Sequence, residues 1–245
     1  FAMQTVLFTD LDDTLFVSKR KAPPAPDYQA AAFLADGSPI SYASPVQQQW
    51  LAHWRQHALV VPVTARNHDS FRRVALPFDS HAVIDYGAVI LNPDGTPDEA
   101  WLDNSRRAAS GCLPRWDELQ QTLFRQPESA DWNIRLIADY GIACYLLVKS
   151  KSGEGSLKTA ADVLRGKLRD GEKLHWNGNN LALLPPWLDK AHAVRRLQEQ
   201  YRRRYGTILS IGMGDSLIDT AFMRCCDYLI APAASQIAAA LGEMP

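Results

Sequence analysis

The stretch VLFTDLDDTLF, Val6–Phe16, decides the fold of this chain, because an apolar run ends abruptly in three acids. The residues before Asp10 are apolar almost throughout, which predicts a strand that is covered on both faces. Asp10, Asp12 and Asp13 follow where this strand ends. In an open parallel sheet, ligands bind outside the carboxyl ends of the strands. Carboxylates that cluster there repel one another unless a cation joins them, and Mg²⁺ takes oxygen ligands of this kind.

Further apolar runs along the chain predict the rest of a parallel sheet. Helical patterns separate some of them: Ser44 and Pro45 open one helix, and Gly206 closes another. Strands that alternate with helices indicate a parallel α/β sheet, and we expect both faces of each strand to be covered. The runs are TVLF (5–8), ALVVPVT (58–64), HAVIDYG (81–87), TILSIGMG (207–214) and DYLIAP (227–232).

The middle of the chain has a different pattern. Residues 92–183 carry turns, helical stretches (115–124 and 154–169) and strands (142–149 and 173–176), which is too much for a loop between two core strands. We therefore predict an inserted α+β domain at 92–183, within a Rossmann-like parallel-sheet core built from 1–91 and 184–245. Residues 17–43 are expected to be irregular and are too short for a further domain.

Composition bounds the class of protein. The chain has 245 residues, 47% of them hydrophobic, and a formal net charge of -1. Near-neutral charge gives no reason to expect nucleic acid or an anionic membrane surface as partner. No apolar run approaches the ~20 residues of a membrane helix, and no leader pattern is visible. The four cysteines include no CxxC pair, so a reducing cytoplasm is expected. Oligomeric state is not indicated.

The ends of other predicted strands add groups that suit phosphoryl transfer. Thr64 and Arg66 follow the second run, and Asp215 and Asp219 follow the fourth. Lys190 opens the last long helix. Carboxylates for a metal, together with a hydroxyl and a fixed cation for an anion, predict a phosphoryl-transfer site.

Four of these segments resemble, in order, the motifs of the haloacid dehalogenase (HAD) superfamily. DLDDTL (10–15) resembles its DxDx[TV] signature, VPVTAR (61–66) its second motif, LDKAHAV (188–194) its third and GMGDSLID (212–219) its fourth. Each follows a predicted strand or opens a helix, which makes the match specific. The resemblance spans the core from residue 6 to about 240.

The position of the insert indicates which group within the superfamily the chain resembles. It lies between the second and third motifs, as in HAD phosphatases with a type-2 cap, and HAVIDYGAVIL (81–91) resembles the strand and turn before such caps. Sucrose-phosphate, trehalose-phosphate and mannosylglycerate-phosphate phosphatases belong to this group, as do eukaryotic-type phosphomannomutases. The implied fold is an α/β core with an inserted α+β cap domain that closes over the site and selects the leaving group.

The resemblance also implies roles for the acids and their partners. Asp10 is the nucleophile, which forms an aspartyl-phosphate. Asp12 is the general acid and base, and its backbone carbonyl is expected to bind Mg²⁺. Thr64 and Lys190 bind the transferring phosphoryl oxygens. Arg66 is either a phosphate or substrate contact or a surface charge.

The fourth motif supplies the remaining metal-site residues. Asp215 is the implied metal ligand, and Asp219 either supports the metal shell or orients Lys190. Asp13 is expected to be structural. Three positions depart from the family pattern without removing a reacting group: relatives often carry Gly, Gly and Asn where this chain has Ala65, Ala191 and Ile218.

The expected activity is Mg²⁺-dependent hydrolysis of a small phosphorylated metabolite, such as a sugar phosphate. A phosphomannomutase-like phosphotransferase shares the motifs, but it must hold a bisphosphate and return the phosphoryl group to sugar. A non-catalytic metabolite-binding HAD protein is the third hypothesis. Such a protein is expected to have lost Asp10, Asp12 or Lys190, and this sequence keeps all of them.

Overall fold

The computed structural model describes residues 3–242 and divides the chain into two compact units. The first unit combines the chain up to Asp98 with the chain from Asp189 onward, and the second is Glu99–Leu188. Both changeovers fall a few residues after the boundaries predicted from sequence. Across residues 3–242, no helix has the length and apolar character needed to cross a membrane.

Both units combine strands and helices. The strands are β1 (Gln4–Thr9), β2 (Val17–Ser18), β3 (Gln29–Phe33), β4 (Pro39–Ala43), β5 (Leu59–Pro62), β6 (Ala82–Ile84), β7 (Val89–Leu91), β8 (Trp132–Asp139), β9 (Ile142–Ser150), β10 (Lys173–Asn177), β11 (Asn180–Leu184), β12 (Ile208–Met213) and β13 (Tyr228–Ile230). The helices are α1 (Pro45–His57), α2 (His68–Phe71), α3 (Glu99–Ser110), α4 (Leu113–Phe124), α5 (Leu157–Arg165), α6 (Lys190–Tyr205), α7 (Thr220–Met223) and α8 (Gln236–Gly242).

The core of the first unit is a parallel sheet in the order β13-β12-β1-β5. At the end of β1, Thr9 is paired with Met213 on β12 and with Pro62 on β5. The three strands therefore end level with one another. The residues that follow them emerge at one edge of the sheet, which is where an open α/β sheet binds ligands. The predicted parallel-sheet core is confirmed.

Two helices begin as their sequences predict. Ser44 caps α1 through a reciprocal pair with Gln47: the Gln47 amide donates to Ser44 Oγ at 3.3 Å, and the Ser44 amide donates to Gln47 Oε1 at 3.0 Å. The Asp189 carboxylate caps α6 by accepting from the Ala191 amide at 2.8 Å. Gly206 ends α6 with a φ of 77°, which glycine adopts without steric cost. The first residue of α6, Lys190, is thereby fixed at the sheet edge.

Residues 17–43, predicted to be irregular, form a small antiparallel sheet instead, in the order β2-β4-β3. β3 reads QAAAF, and its run of alanines gives no alternation by which to recognise a strand. The register also shifts between Ala30 and Ala32 and again before Phe33. Such irregularities bend a strand and interrupt the side-chain period on which sequence patterns depend.

Two of the predicted core strands differ from expectation. β6 is only three residues long, pairs antiparallel with β7, and is joined to the main sheet by a parallel bridge between Val63 and Val83. β13 lies at the sheet edge, where Tyr228 is 66% exposed and Leu229 56% exposed. The expectation that both faces of every apolar strand are covered is therefore wrong for β13, because an edge strand has fewer neighbours.

The second unit is α+β, as predicted. Its antiparallel sheet has the order β10-β11-β9-β8. Trp116, Leu119 and Leu164 on the helices join Leu146 and Val148 on the sheet in one buried cluster. α3, β8 and β11 were not predicted. β8 alternates buried and exposed residues at its start, the pattern of a strand with one covered face.

Candidate active site

Backbone hydrogen bonds place Asp10 and Thr64 at the edge where the strands end. The Asp10 amide donates to the Met213 carbonyl at 2.8 Å, the Val63 amide to the Thr9 carbonyl at 2.7 Å, and the Thr64 amide to the Val83 carbonyl at 2.8 Å. Asp10 and Thr64 are both buried. The parallel ladders thus continue into the residues that carry the predicted chemistry.

Lys190 joins two of the predicted acids. Its Nζ donates to Asp10 Oδ1 at 2.7 Å and to Asp219 Oδ1 at 2.7 Å. All three side chains are buried. Burial lowers the pKa of Lys190, but Asp10 and Asp219 outweigh it, and the pKa lies above its ordinary value. The ammonium is therefore a permanent positive charge beside Asp10.

The second oxygen of Asp219 is held by Ser216, which the motifs alone did not single out. Asp219 Oδ2 accepts from the Ser216 hydroxyl at 2.7 Å and from its amide at 3.2 Å. This is a capping box, and the Ser-x-x-Asp spacing in the sequence is the signal that could have found it. A Cβ added to Gly214 would lie 2.6 Å from Asp219 Cβ, so glycine allows the close approach.

Asp215 completes a cluster of three carboxylates. Asp10, Asp215 and Asp219 each offer an oxygen, and these oxygens all lie within 4.8 Å of one another. The Thr14 hydroxyl donates to Asp215 Oδ1 at 3.4 Å. The structure thus brings together residues from the first, third and fourth motifs.

The charge in this cluster is not balanced by Lys190. Burial raises the pKa of Asp10 well above its ordinary value; Lys190 opposes this, while Asp219 and Asp12 add to it. Burial, followed by the charges of Asp219 and Asp13, raises the pKa of Asp215 to about 6. A divalent cation would offset the excess negative charge, and carboxylate oxygens are the donors that Mg²⁺ takes. The donor set therefore fits the predicted metal.

Asp12 lies outside this cluster and pairs with Arg66. Arg66 Nε donates to Asp12 Oδ2 and Nη2 donates to Asp12 Oδ1, both at 2.8 Å. Arg66 also donates to the Ser70 carbonyl at 3.2 Å and lies over the Phe16 ring at 5.3 Å. Its side chain is only 16% exposed, whereas that of Asp12 is 45% exposed. Arg66 is thus a fixed partner of the predicted acid and base, and not a solvated surface charge.

Asp13 has a separate environment. Its φ is 62°, a left-handed conformation that Asp tolerates better than most residues. Its carboxylate forms an ion pair with Lys21. This arrangement agrees with the structural role expected for Asp13.

Comparisons with known proteins find solved structures of similar fold but low sequence identity. No protein-family model matches the sequence, and no curated protein matches it. A sucrose-phosphatase from Synechocystis sp. PCC6803, solved in complex with sucrose and phosphate, is 15% identical, with a TM-score of 0.59 over 99% of this chain and 88% of that one. The C-terminal domain of a C. albicans trehalose-6-phosphate phosphatase is 14% identical, with a TM-score of 0.55 over 91% and 73% of the two chains.

A third solved structure is named as a member of the superfamily that the motifs resemble. It is a HAD-superfamily phosphatase from Bacteroides thetaiotaomicron, 12% identical, with a TM-score of 0.53 over 98% of this chain and 94% of that one. Identities this low establish the architecture alone. The chain therefore has the fold of the HAD-superfamily phosphatases, a parallel α/β core interrupted by an α+β insert.

Proposed function

We propose that this protein is a Mg²⁺-dependent phosphomonoester hydrolase that acts through an aspartyl-phosphate on a small phosphorylated metabolite, with sugar phosphates as the favoured class. One observation carries the proposal: Lys190 Nζ lies 2.7 Å from both Asp10 and Asp219, at the edge where β1 ends. A buried carboxylate beside a fixed cation is suited to attack an anionic phosphoryl group.

In the first step, an Asp10 oxygen attacks phosphorus, and the bond to the leaving alkoxide breaks. Lys190 offsets the charge on the phosphoryl oxygens as a point charge. Thr64 adds a hydrogen bond: its Oγ accepts from the Arg66 amide at 3.1 Å, which leaves the hydroxyl proton to donate to a phosphoryl oxygen. In the second step, water attacks the aspartyl-phosphate and releases inorganic phosphate.

Asp12, protonated when substrate is bound, gives its proton to the leaving alkoxide and, as a carboxylate, then takes one from the attacking water. To carry that proton, it parts from one of its two bonds to Arg66. Its two hydrogen bonds to Arg66 at 2.8 Å hold the carboxylate in one orientation, since a guanidinium fork matches carboxylate geometry. Arg66 is thus a positioning residue for Asp12 in this mechanism, and contact with the phosphate is its secondary role.

The metal would be held by Asp10, Asp215 and the Asp12 carbonyl, with Asp219 supporting it by fixing Lys190. When bound, Mg²⁺ supplies positive charge that shields the nucleophile from the phosphoryl oxygens and stabilises the transferring group. The sugar-phosphate class is supported by the fold shared with a sucrose-phosphatase and a trehalose-6-phosphate phosphatase.

The test is phosphate release from a panel of phosphomonoesters, with sugar phosphates and non-sugar esters matched in charge. We expect turnover with Mg²⁺, loss of turnover with a chelator, and restoration on adding Mg²⁺. Ca²⁺ should inhibit, because its larger and looser coordination shell allows a carboxylate to bind through both oxygens. Full turnover in chelator would contradict the metal requirement.

The same panel separates the rival functions. Turnover only with a bisphosphate activator would favour the phosphotransferase, and no turnover with any ester would favour a binding protein.

Replacing Asp12 by Asn should slow the first step much more for a sugar phosphate than for nitrophenyl phosphate. A sugar alkoxide needs a proton as it departs, whereas nitrophenolate is a stable anion. General acid catalysis contributes ~10²–10⁴-fold, which sets the expected difference. The burst of leaving-group release, followed by rapid mixing, measures the first step. Equal losses for both esters would mean that Asp12 is not the acid.

A further inference from the structure

Three consecutive residues between β6 and β7 adopt left-handed backbone conformations. The φ angles are 51° at Asp85, 55° at Tyr86 and 103° at Gly87, and all three residues are buried. Positive φ is uncommon for residues other than glycine and is unusual for a bulky residue such as Tyr. Strained backbone of this kind persists only where its surroundings determine it, and it clusters at functional sites. Asp85, Tyr86 and Gly87 together form the Asp85–Gly87 turn.

One side of the Asp85–Gly87 turn is tied to the loop that carries Thr64. The Asp85 amide donates to the Arg66 carbonyl at 2.8 Å, and the Tyr86 amide donates to the Thr64 carbonyl at 3.1 Å. These two bonds hold the backbone of the loop at both Thr64 and Arg66. A shift of the turn would therefore move the Thr64 hydroxyl and the base of the Arg66 side chain.

The other side of the turn lies against the start of α6. A Cβ added to Gly87 would be 2.6 Å from the Asp189 carbonyl oxygen, 2.9 Å from the Asp189 carbonyl carbon and 3.1 Å from the Lys190 nitrogen. Real Cβ atoms essentially never lie within 3.0 Å of other atoms, as this one would with the Asp189 carbonyl, so a side chain at position 87 would force the backbone to shift. The absence of a side chain at Gly87 thus sets how closely Lys190 approaches the turn.

Tyr86 is buried within the turn, near enough to the acids of the site to be influenced by their charges. Its side chain is buried, and burial, followed by the charges of Asp219, Asp10 and Asp12, raises the pKa of its phenol. The phenol therefore lies within the field of all three carboxylates and stays protonated.

We propose that the Asp85–Gly87 turn is a positioning element that sets the distance between the Thr64 loop and the Lys190 helix, and so fixes the two groups that bind the phosphoryl oxygens. The turn contacts both segments through backbone atoms, and its strained φ angles are held in place by these surroundings. This inference rests on the proposed phosphatase function. It adds a structural cause for the placement of Thr64 and Lys190, which the four motifs do not contain.

Gly87→Ala, compared with Gly95→Ala, tests the proposal. Gly95 has a φ of 83°, and a Cβ added there would meet no described atom within 4 Å, so this control reproduces the backbone strain without the contact at Asp189. We expect kcat/KM for a phosphomonoester to fall about 10²-fold in Gly87→Ala, the loss that a displacement of about 1 Å in an active site can cause. Gly95→Ala should stay close to wild type.

A second readout separates positioning from stability. Inhibition by orthovanadate, which mimics the transferring phosphoryl group, should weaken in Gly87→Ala by a factor similar to the loss of kcat/KM, because both depend on transition-state contacts. Assays are run where near-UV circular dichroism shows native structure. If Gly87→Ala does not fold, Tyr86→Asn is the variant that tests the proposal. Asn tolerates a left-handed backbone but leaves the volume of the ring empty. We expect smaller losses of kcat/KM and of vanadate inhibition in this variant.

The outcomes distinguish this inference from the proposed function. If wild type turns over and Gly87→Ala matches Gly95→Ala in both kcat/KM and vanadate inhibition, the turn has no positioning role. The same conclusion follows if Tyr86→Asn, used as the deciding variant, behaves as wild type. If wild type releases no phosphate from any ester, the phosphatase function itself is wrong, and the inference falls with it.

Discussion

Replacing Asp10 by Asn should abolish phosphate release while the protein stays folded. Asn keeps the size and shape of Asp but cannot form an acyl phosphate, so the covalent route is lost. Folding should change little, because Lys190 keeps its 2.7 Å bond to Asp219 and the variant removes one of the mutually repelling acids. Turnover with a purified phosphate ester and the thermal midpoint are the two measurements.

Asp13→Asn is the matched control for Asp10→Asn. It makes the same chemical change three residues along the chain, at a φ of 62° that Asn accepts. We expect this variant to keep most of the wild-type turnover. Asp10→Asn turning over at a rate near that of Asp13→Asn would rule out Asp10 as the nucleophile.

Replacing Lys190 by Met should cost both activity and stability. Loss of one preorganised charge-stabilising group lowers kcat by about 10²–10³-fold. Asp10 and Asp219 would also remain buried without their shared cation, and breaking a buried pair in this way costs about 3–5 kcal/mol. Chemical denaturation and steady-state turnover measure the two effects.

The stability loss in Lys190→Met should depend on pH. Burial already raises the pKa of Asp10 above its ordinary value of 3.8, and Lys190 opposes that rise. Without Lys190 the pKa rises further, so the folded state binds a proton that the unfolded state has lost, and the free energy of unfolding falls as pH increases. The deficit should therefore be larger at about pH 8 than at about pH 5, because protonation neutralises the orphaned acid.

Lys158→Met is the control for Lys190→Met. Lys158 also lies in the first turn of a helix, α5, but it is exposed, and surface substitutions change stability by about 0.5 kcal/mol or less. Equal stability for the two variants would mean that the contacts of Lys190 with Asp10 and Asp219 contribute nothing net to folding.

The features predicted from sequence are those with short-range signals. An apolar run that leads into acids is visible within ten residues, and it located β1 and Asp10 together. The N-caps Ser44 and Asp189 are equally local, although only Ser44 was recognised. The capping box of Ser216 and Asp219 was readable in the same way but was overlooked beside the motif that contains it.

The features that were not predicted depend on residues far apart in the sequence or oppose the backbone preference of the residue itself. The pairing of Arg66 with Asp12 joins residues from different loops, so the sequence left open whether Arg66 contacts substrate or solvent. The left-handed φ of Tyr86 opposes the preference of a bulky residue, and the neighbouring Gly87 is the one sequence signal of an unusual turn there. β3 escaped because its alanines carry no periodicity.

The pairing of β1 with β12, Gln4 opposite Ile208, has a consequence for synthesis on the ribosome. Roughly 200 residues must be translated before β1 meets this partner, which takes about 10–40 s at ordinary rates. Until then β1 can pair with β5 alone, and its other edge presents unsatisfied amides and carbonyls that invite association with other chains. The unit Glu99–Leu188 is continuous in sequence, so it can fold during this wait. A nascent chain that stalls before Ile208 should therefore carry a folded insert together with an aggregation-prone half-sheet, and the free edge of β1 is covered only when Ile208–Met213 emerges.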